Sequence, residues 1–366
     1  MRTKSDNRIV MTLDAGGTNL VFSAMQNGVE IVAPVTLPSE VKDLERCLQV
    51  LIQGFEQVRK QLPISPSAIS FAFPGPADYE KGIIGDLPNF PAFRGGVALG
   101  PFLKKYFGLP VYINNDGNLF AYGEALAGIL PEINSKLEAC GNSKRYRNLI
   151  GVTLGTGFGG GLIIDGKVLR GDNQIGGYLW CLPNRKYPDL IAEESVSIRG
   201  VKRIYKELSK EEEDYTPKDI YEIAEGILPG NREAARQAFA ELGEVAGYAI
   251  GLAATMIDGL IVIGGGLAGA AKYILPSLMR ELRGSIEKWG GVKIPRLQAV
   301  PYYLENSQEL SAFLKHDVAR VQVPVFNQWV DYQTDYKLGV ALSHLGTNRA
   351  IALGAYWYAI NQLNNL

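Results

Sequence analysis

Four stretches of this 366-residue sequence combine residue types that can do chemistry with a spacing that lets them do it. Asp14-Ala15-Gly16-Gly17-Thr18-Asn19 follows the apolar run Ile9 to Leu13, and Gly155-Thr156-Gly157 follows a second run, Asn148 to Leu154. Backbone N–H groups freed by glycine, with a threonine hydroxyl beside them, make a concave donor surface suited to phosphate oxygens. Two such turns on facing domains could hold the β- and γ-phosphates of ATP from both sides; a structural hairpin is the plainer reading of either turn alone. Phosphoryl transfer also needs a metal ion and a group that takes the acceptor's proton. Asp14 closes its strand beside the first turn, where a carboxylate suits Mg²⁺, directly or through water. Asp116 ends the run Val111 to Ile113 and precedes a helix, which suits it to act as base toward an alcohol. Capping that helix is the competing role, and the two are compatible. A third glycine cluster, Gly264-Gly265-Gly266, ends the run Leu260 to Ile263.

Two familiar patterns fail on context. Gly155 to Gly160 fits G-x-G-x-x-G, but a strand and hairpin turn follow where a dinucleotide site needs a helix. Gly161 to Lys167 fits G-x-x-x-x-G-K, but Val168 stands where a Ser or Thr would hold magnesium.

The elements that must carry these groups follow from periodicity. Ile9 to Leu13 reads as a buried strand, Leu20 to Met25 as a second, and Val29 to Val35, after the Asn27-Gly28 turn, as a third. Asn148 to Leu154, Phe158 to Ile164 and Lys167 to Leu169 repeat that order about one domain length later. The repeat predicts two similar α/β domains with a cleft between them. Val41, Leu44, Leu48, Leu51, Ile52 and Phe55 recur at helical spacing, with Ser39 as N-cap. Thr216-Pro217-Lys218-Asp219 is a helix start, and a helix from about Asn231 to Ile257 has small residues that permit close packing. The aromatic-rich segment from about Val300 to Tyr336 reads as a strand followed by a long loop.

Bulk composition narrows the function classes. The length suits two or three domains. A formal net charge of -1 offers nothing to neutralise nucleic-acid phosphates. Cys47, Cys140 and Cys181 lie far apart, and His316 and His344 are the only histidines, so neither a disulfide framework nor a His-rich metal site is expected. No apolar run approaches the ~20 residues of a membrane span and no signal-peptide pattern opens the chain, so a cytoplasmic protein is expected.

Taken in order, Leu13 to Asn19, Phe73-Pro74-Gly75-Pro76-Ala77-Asp78, Asn115-Asp116-Gly117-Asn118, Leu154 to Gly161 and Ile263 to Gly266 resemble the ROK family of repressors, open reading frames and sugar kinases, over about residues 9 to 360. The resemblance implies an actin-like ATPase fold: two ribonuclease H-like α/β domains with mixed five-stranded sheets flanking an interdomain cleft. Residues 1–115, joined by a C-terminal helix of about 346–366, would form the smaller domain and 116–345 the larger. It further implies an ATP-dependent sugar kinase acting on a hydroxyl (in glucokinases the 6-hydroxyl) of a hexose or amino-hexose. Asp14, Gly16, Gly17, Thr18 and Asn19 then match the first phosphate loop, Gly155, Thr156 and Gly157 the second, and Gly264, Gly265 and Gly266 the adenosine motif. Asn89 and Asn115 match contacts to sugar hydroxyls, Asp116 the catalytic base, and Glu193, four residues before Ser197, a sugar-binding glutamate. ATP and Mg²⁺, the latter on Asp14, are the implied cofactors. A homodimer with no nucleic-acid or membrane partner is the expected assembly.

The sequence also departs from the family. Its sugar kinases usually continue after the second hairpin with Glu-Ile-Gly-His, whereas Gln174-Ile175-Gly176-Gly177 stands here. That change removes polar contacts which discriminate hydroxyl stereochemistry, and Gly177 opens space for a bulkier sugar. The CxCGxxGC zinc loop is absent as well: between Gly177 and Glu193 only Cys181 occurs. No structural zinc is therefore expected, and Tyr178 to Ile191 must be held by packing. Tyr302, Tyr303, Phe326, Trp329, Tyr332 and Tyr336 suit either a sugar-stacking surface or a subunit interface. A catalytically silent sugar-binding regulator without a DNA-binding domain is the competing function; Asp14, Asp116 and both phosphate loops favour the enzyme.

Overall fold

The computed structural model describes residues 6–15, 18–85 and 91–365. Two compact units divide the chain, one of Met1–Gly128, Gly166–Gly177 and Leu345–Leu366, the other of Ile129–Asp165 and Tyr178–His344.

The first unit contains β1 (Ile9–Ala15), β2 (Asn19–Gln26), α1 (Leu44–Gln61), β3 (Ala68–Ala72), β4 (Val111–Asn114), α2 (Asp116–Ala127) and the C-terminal helix Thr347–Asn364. β2 runs antiparallel to β1, while β1, β3 and β4 are parallel, with Leu13 beside Phe71 and Phe71 beside Ile113. Three strands thus deliver their carboxyl ends to one edge of the sheet, the edge where open α/β sheets bind ligands. Beyond β2 the single third strand expected from Val29 to Val35 is instead two short ones, Val29–Glu30 and Val35–Pro38. Pro34 accounts for the break, since it has no N–H to offer the ladder. α1 begins later than its apolar spacing suggests: Asp43, not Ser39, is the cap, its carboxylate accepting from the Arg46 N–H at 3.1 Å.

Burial holds these pieces together. Phe22 and Phe55 meet edge-to-face with ring centroids 5.0 Å apart under the sheet. On the sheet's other helix layer, α2 and the C-terminal helix approach closely. A Cβ on Gly123 would fall 1.9 Å from the Ala350 carbonyl oxygen, and one on Gly354 would fall 1.9 Å from that of Leu119. The helix that starts at Asp116 is therefore clamped along its length.

The second unit contains β5 (Leu149–Leu154), β6 (Phe158–Ile164), α3 (Ile198–Ser209), α4 (Arg232–Ile257), β7 (Leu260–Gly264), α5 (Ala271–Leu282), β8 (Val300–Tyr303) and β9 (Lys337–Leu342). Its strands are ordered β6, β5, β7, β9, β8, with β5 and β6 antiparallel and the remaining neighbours parallel. An antiparallel hairpin followed by parallel strands is the plan of the first unit repeated. The small residues of α4 do permit close packing: Cβ atoms on Gly243 and Gly247 would fall 2.1 and 2.7 Å from the Ile274 and Leu278 carbonyl oxygens of α5.

The segment read as strand and loop holds more structure than that. After β8 come a helix, Ser307–Leu314, and a hairpin of Val318–Gln322 and Trp329–Gln333. Asn306 caps the helix start, accepting from the Gln308 and Glu309 N–H groups. The helix end is fixed from a distance: the buried Lys337 ammonium donates to the Ala312 and Lys315 carbonyls at 2.8 and 2.9 Å. No local pattern announces that second contact. Among the described residues no helix is long and apolar enough to cross a membrane.

Candidate active site

In the first unit the strand ends carry the chemistry. Asp14 stands exposed near the end of β1, and protein crowding around its carboxyl raises its pKa above the usual aspartate value. Thr18 and Asn19 are exposed on the far side of the turn. Gly16, Gly17 and Asn89 lie outside the described residues.

The cap at the start of α2 is Asn115, not Asp116, the Asn115 side-chain oxygen accepting from the Gly117 N–H at 2.9 Å. Asp116 is the first helical residue, and one of its oxygens shares that same N–H at 2.8 Å. No side chain among the described residues donates to its carboxylate. Beneath them buried Asn114 fixes the turn, its side-chain oxygen accepting from the Asn115 N–H and from the Asn118 amide at 2.8 and 3.1 Å. Asp116 still presents surface to solvent. Loss of water to the surrounding protein nevertheless outweighs the Gly117 hydrogen bond and pushes its pKa up.

Gln174 has a definite job. Its carbonyl oxygen accepts from the Glu80 N–H at 3.0 Å while its amide donates to Asp78 at 3.2 Å. A glutamate could not donate, and would face the Asp78 carboxylate instead. The Gln174 amide thus fastens the segment before Gly177 to the Pro74–Asp78 loop.

In the second unit β5 and β7 are parallel neighbours, with Thr153 beside Gly264, so both glycine turns emerge at one edge. Gly265 has φ +93°, and a Cβ there would fall 2.2 Å from the Leu154 carbonyl oxygen. Only glycine fits. Space above Gly155 is open for at least 4 Å, and Thr156 is exposed. Behind the turn, Glu193 accepts from the Phe158 N–H at 2.9 Å and from Arg199 at 2.9 Å, and a Cβ on Gly157 would strike its carboxylate at 2.5 Å. Glu193 therefore braces the second turn directly. Beside Gly266 opens a cavity of about 290 Å³ walled by Tyr221, Phe239, Pro217 and Lys218, a mostly apolar slot with one cation at its rim.

The stretch expected to rest on packing rests also on one buried amide. The Asn184 side-chain oxygen accepts from the Lys186 and Tyr187 N–H groups at 3.0 and 3.2 Å, and its NH₂ donates to Ser195 at 2.9 Å and to the Ile191 carbonyl at 3.4 Å. Asn184 thereby ties both ends of the loop leading to Glu193. Sequence reasoning misses it because Pro183-Asn184 reads as an ordinary turn. The aromatic slot escapes it for another reason: its walls at Tyr221, Phe239 and Gly266 lie far apart in the chain. Among the described residues no group of three or more His, Cys, Asp or Glu is placed to hold a metal ion. A lone Asp14 carboxylate fits the way Mg²⁺ is usually held, by one or two carboxylates with phosphates and water supplying the rest.

Two units of mixed sheet, each an antiparallel hairpin followed by parallel strands, follow the plan of the actin-like ATPase fold. The ROK family model matches residues 10–289, and the chain belongs to the ROK family. A glucokinase from Parabacteroides distasonis has a crystal structure that aligns with a TM-score of 0.90 at 59% identity, covering 99% of each chain. The ROK hexokinase from Thermus thermophilus, at 20% identity and a TM-score of 0.66 over 96% of this chain and 99% of its own, shares the fold. An N-acetyl-D-glucosamine kinase from Aliivibrio salmonicida is 31% identical over 170 residues, 45% of this chain and 50% of that protein. The chain thus spans about half the length of the curated relatives it matches.

Proposed function

We propose that the protein is an ATP-dependent carbohydrate kinase that transfers the γ-phosphoryl group to a hydroxyl, the 6-hydroxyl, of a hexose or N-acylated amino-hexose. The observation that carries this reading is Asp116: a solvent-reaching carboxylate with a raised pKa, relieved of capping by Asn115 and held on a clamped helix. Asp116 takes the proton as the sugar oxygen bonds to the γ-phosphorus, and the bond to the β-phosphate oxygen breaks to release ADP. Asn115 spends its oxygen on the helix and keeps its NH₂ for a sugar hydroxyl. Thr18 with the first turn, and Gly155 to Gly157 with the second, donate N–H and O–H groups to the phosphates. The Tyr221–Phe239 slot beside Gly266 suits the flat adenine ring. Mg²⁺, when held by Asp14, neutralises phosphate charge. The names of the Parabacteroides and Aliivibrio relatives support a hexose or N-acetylated hexosamine acceptor, and the glycine at 177 is consistent with room for an N-acyl group.

Hexoses, hexosamines and N-acylated amino sugars, each with Mg-ATP in an ADP-release assay, test the proposal. Sugar-dependent release that disappears in Asp116→Ala supports it. Sugar binding without turnover by the wild-type chain would sink it and mark a silent regulator.

A further inference from the structure

Two adjacent cations, Arg185 and Lys186, stand between Pro183 and Pro188 in the loop that delivers Glu193. Opposite them α4 sets Glu241, Glu244 and Tyr248 on one face, since residues three, four and seven apart share a side of a helix. Lys186 donates to the buried Glu241 carboxylate at 2.9 Å and has Glu244 at 3.9 Å. Arg185 reaches Glu281 of α5 at 3.2 Å, and its guanidinium lies 5.3 Å from the centre of the Tyr248 ring. Among the described residues the one other cation paired with these acids is Arg296, which meets Glu281 at 3.3 Å and lies 5.0 Å from the same ring. Three carboxylates on two helices thus have one cation from their own neighbourhood, and the loop brings two more. Burial works against the Lys186 ammonium, but its hydrogen bond to Glu241 and the charges of Glu241 and Glu244 outweigh it and raise its pKa. A buried carboxylate stripped of its cation is costly, so Glu241 holds the loop down. Packing alone does not, since Trp180 and Leu190 of the same loop stay exposed.

Short contacts carry this dock to the second turn. Asn184 accepts from the Lys186 N–H, and its NH₂ grips Ile191 and Ser195, on either side of Glu193. The Ala192 N–H adds a bond to the Leu182 carbonyl at 2.7 Å. From this segment two bonds reach the turn: Glu193 accepts from the Phe158 N–H, and the Ile198 N–H donates to the Gly155 carbonyl at 2.9 Å. The turn is held at both of its ends. We propose that Arg185 and Lys186 are positioning residues for that turn, docking the loop on α4 and α5 so that Gly155 to Gly157 keep the geometry that receives phosphate oxygens. The inference rests on the reading of the turn as a phosphate cradle. Neither cation belongs to the turn, and both act through Asn184 and Glu193.

Four variants of the full chain test it. Lys186→Met removes the charge and keeps the apolar stem, Arg185→Gln alters the more exposed cation, and Lys186→Arg conserves the charge. Phe313→Leu weakens the core of the second unit elsewhere. Amide exchange at Phe158 is followed without ligand, and calorimetric titration compares a non-hydrolysable ATP analogue with AMP, which lacks the β- and γ-phosphates. Lys186→Met is expected to exchange Phe158 faster and to bind the ATP analogue about 3- to 30-fold more weakly, with AMP affinity within about twofold of wild type. Arg185→Gln should move both readouts the same way, and Lys186→Arg should keep wild-type values. Phe313→Leu should lower the melting temperature without either change. Unchanged exchange or unchanged analogue affinity in Lys186→Met, equal losses for AMP and the analogue, or the same pattern in Phe313→Leu would each overturn the proposal. Should Lys186→Met not fold, Arg185→Gln decides by the same comparison. A wild-type chain that binds neither nucleotide sinks the kinase reading instead, and Phe158 exchange still decides whether the dock sets the turn.

Discussion

Helix starts favour charged carboxylates, because free N–H groups and the helix dipole both stabilise the anion. Asp116 nevertheless has a raised pKa, since the water it loses to surrounding protein costs more than one shared N–H returns. Such a group adds stability in its neutral form, fully present below the unfolded pKa and lost as pH rises through the raised folded value. At neutral pH its charge therefore opposes folding. Asp116→Asn should raise the melting temperature at pH 7 to 8 while lowering kcat by roughly 10²- to 10⁴-fold, measurable by calorimetry and coupled ADP release on one preparation. Wild-type activity should fall on the acid side at a pH above the range of an ordinary aspartate. Asn184 is the opposite kind of residue, buried and fully hydrogen-bonded. Asn184→Ala orphans two N–H groups and should cost about 2–3 kcal/mol in urea unfolding. It should also loosen the Phe158 N–H, seen as faster amide exchange, because the loop it ties delivers Glu193.

Secondary elements split into those that local chemistry specifies and those it does not. The capping box at Thr216 and Asp219 forms as its residues suggest, with reciprocal bonds of 3.2 and 2.8 Å, because all the partners lie within one turn. The start of α1 departs from its apolar spacing because that spacing marks the buried face, not the cap. The hairpin at 318–333 is hard to read from sequence because its strands are joined by a long connection that contains Pro324 and lacks a tight-turn dipeptide. Glycine in the turn after β7 is a matter of neighbours. Gly265→Ala must shed both a φ of +93° and a contact with the Leu154 backbone, so a loss of roughly 1–3 kcal/mol is expected. Nucleotide affinity should fall with it, which isothermal titration with a non-hydrolysable ATP analogue would measure, since the wall of the slot begins at Gly266.

At the scale of the whole chain, residues far apart in sequence are joined by a few polar ties. In the second unit His344 meets Glu132 at 3.0 Å through Nδ1 and Glu305 at 3.2 Å through Nε2, linking the helix Ile129–Ala139 to the segment after β8. Partial burial works against the charged imidazole, but hydrogen bonds to the two carboxylates outweigh it and raise the pKa. The sign is that of a raised base: the tie is complete below the unfolded value and lost as pH rises through the higher folded one. His344→Gln should flatten the fall in melting temperature between about pH 6 and 8, and an imidazole proton titration by NMR should place the His344 midpoint above that of an unperturbed histidine. A wild-type slope equal to the variant's would contradict the tie.

The sequence by itself determined the repeated strand–turn–strand order, the glycine turns and the aspartate that heads α2, because strand alternation and turn chemistry are set by residues a few positions apart. Tertiary structure alone decided what each side chain is free to do. It gave the cap to Asn115 and left Asp116 without a side-chain donor among the described residues, set Gln174 against Asp78 and Glu80, and made Glu193 the brace of a turn 35 residues earlier. Hydrogen bonding and desolvation act over a few ångströms of space, and spacing along a chain carries no measure of that distance.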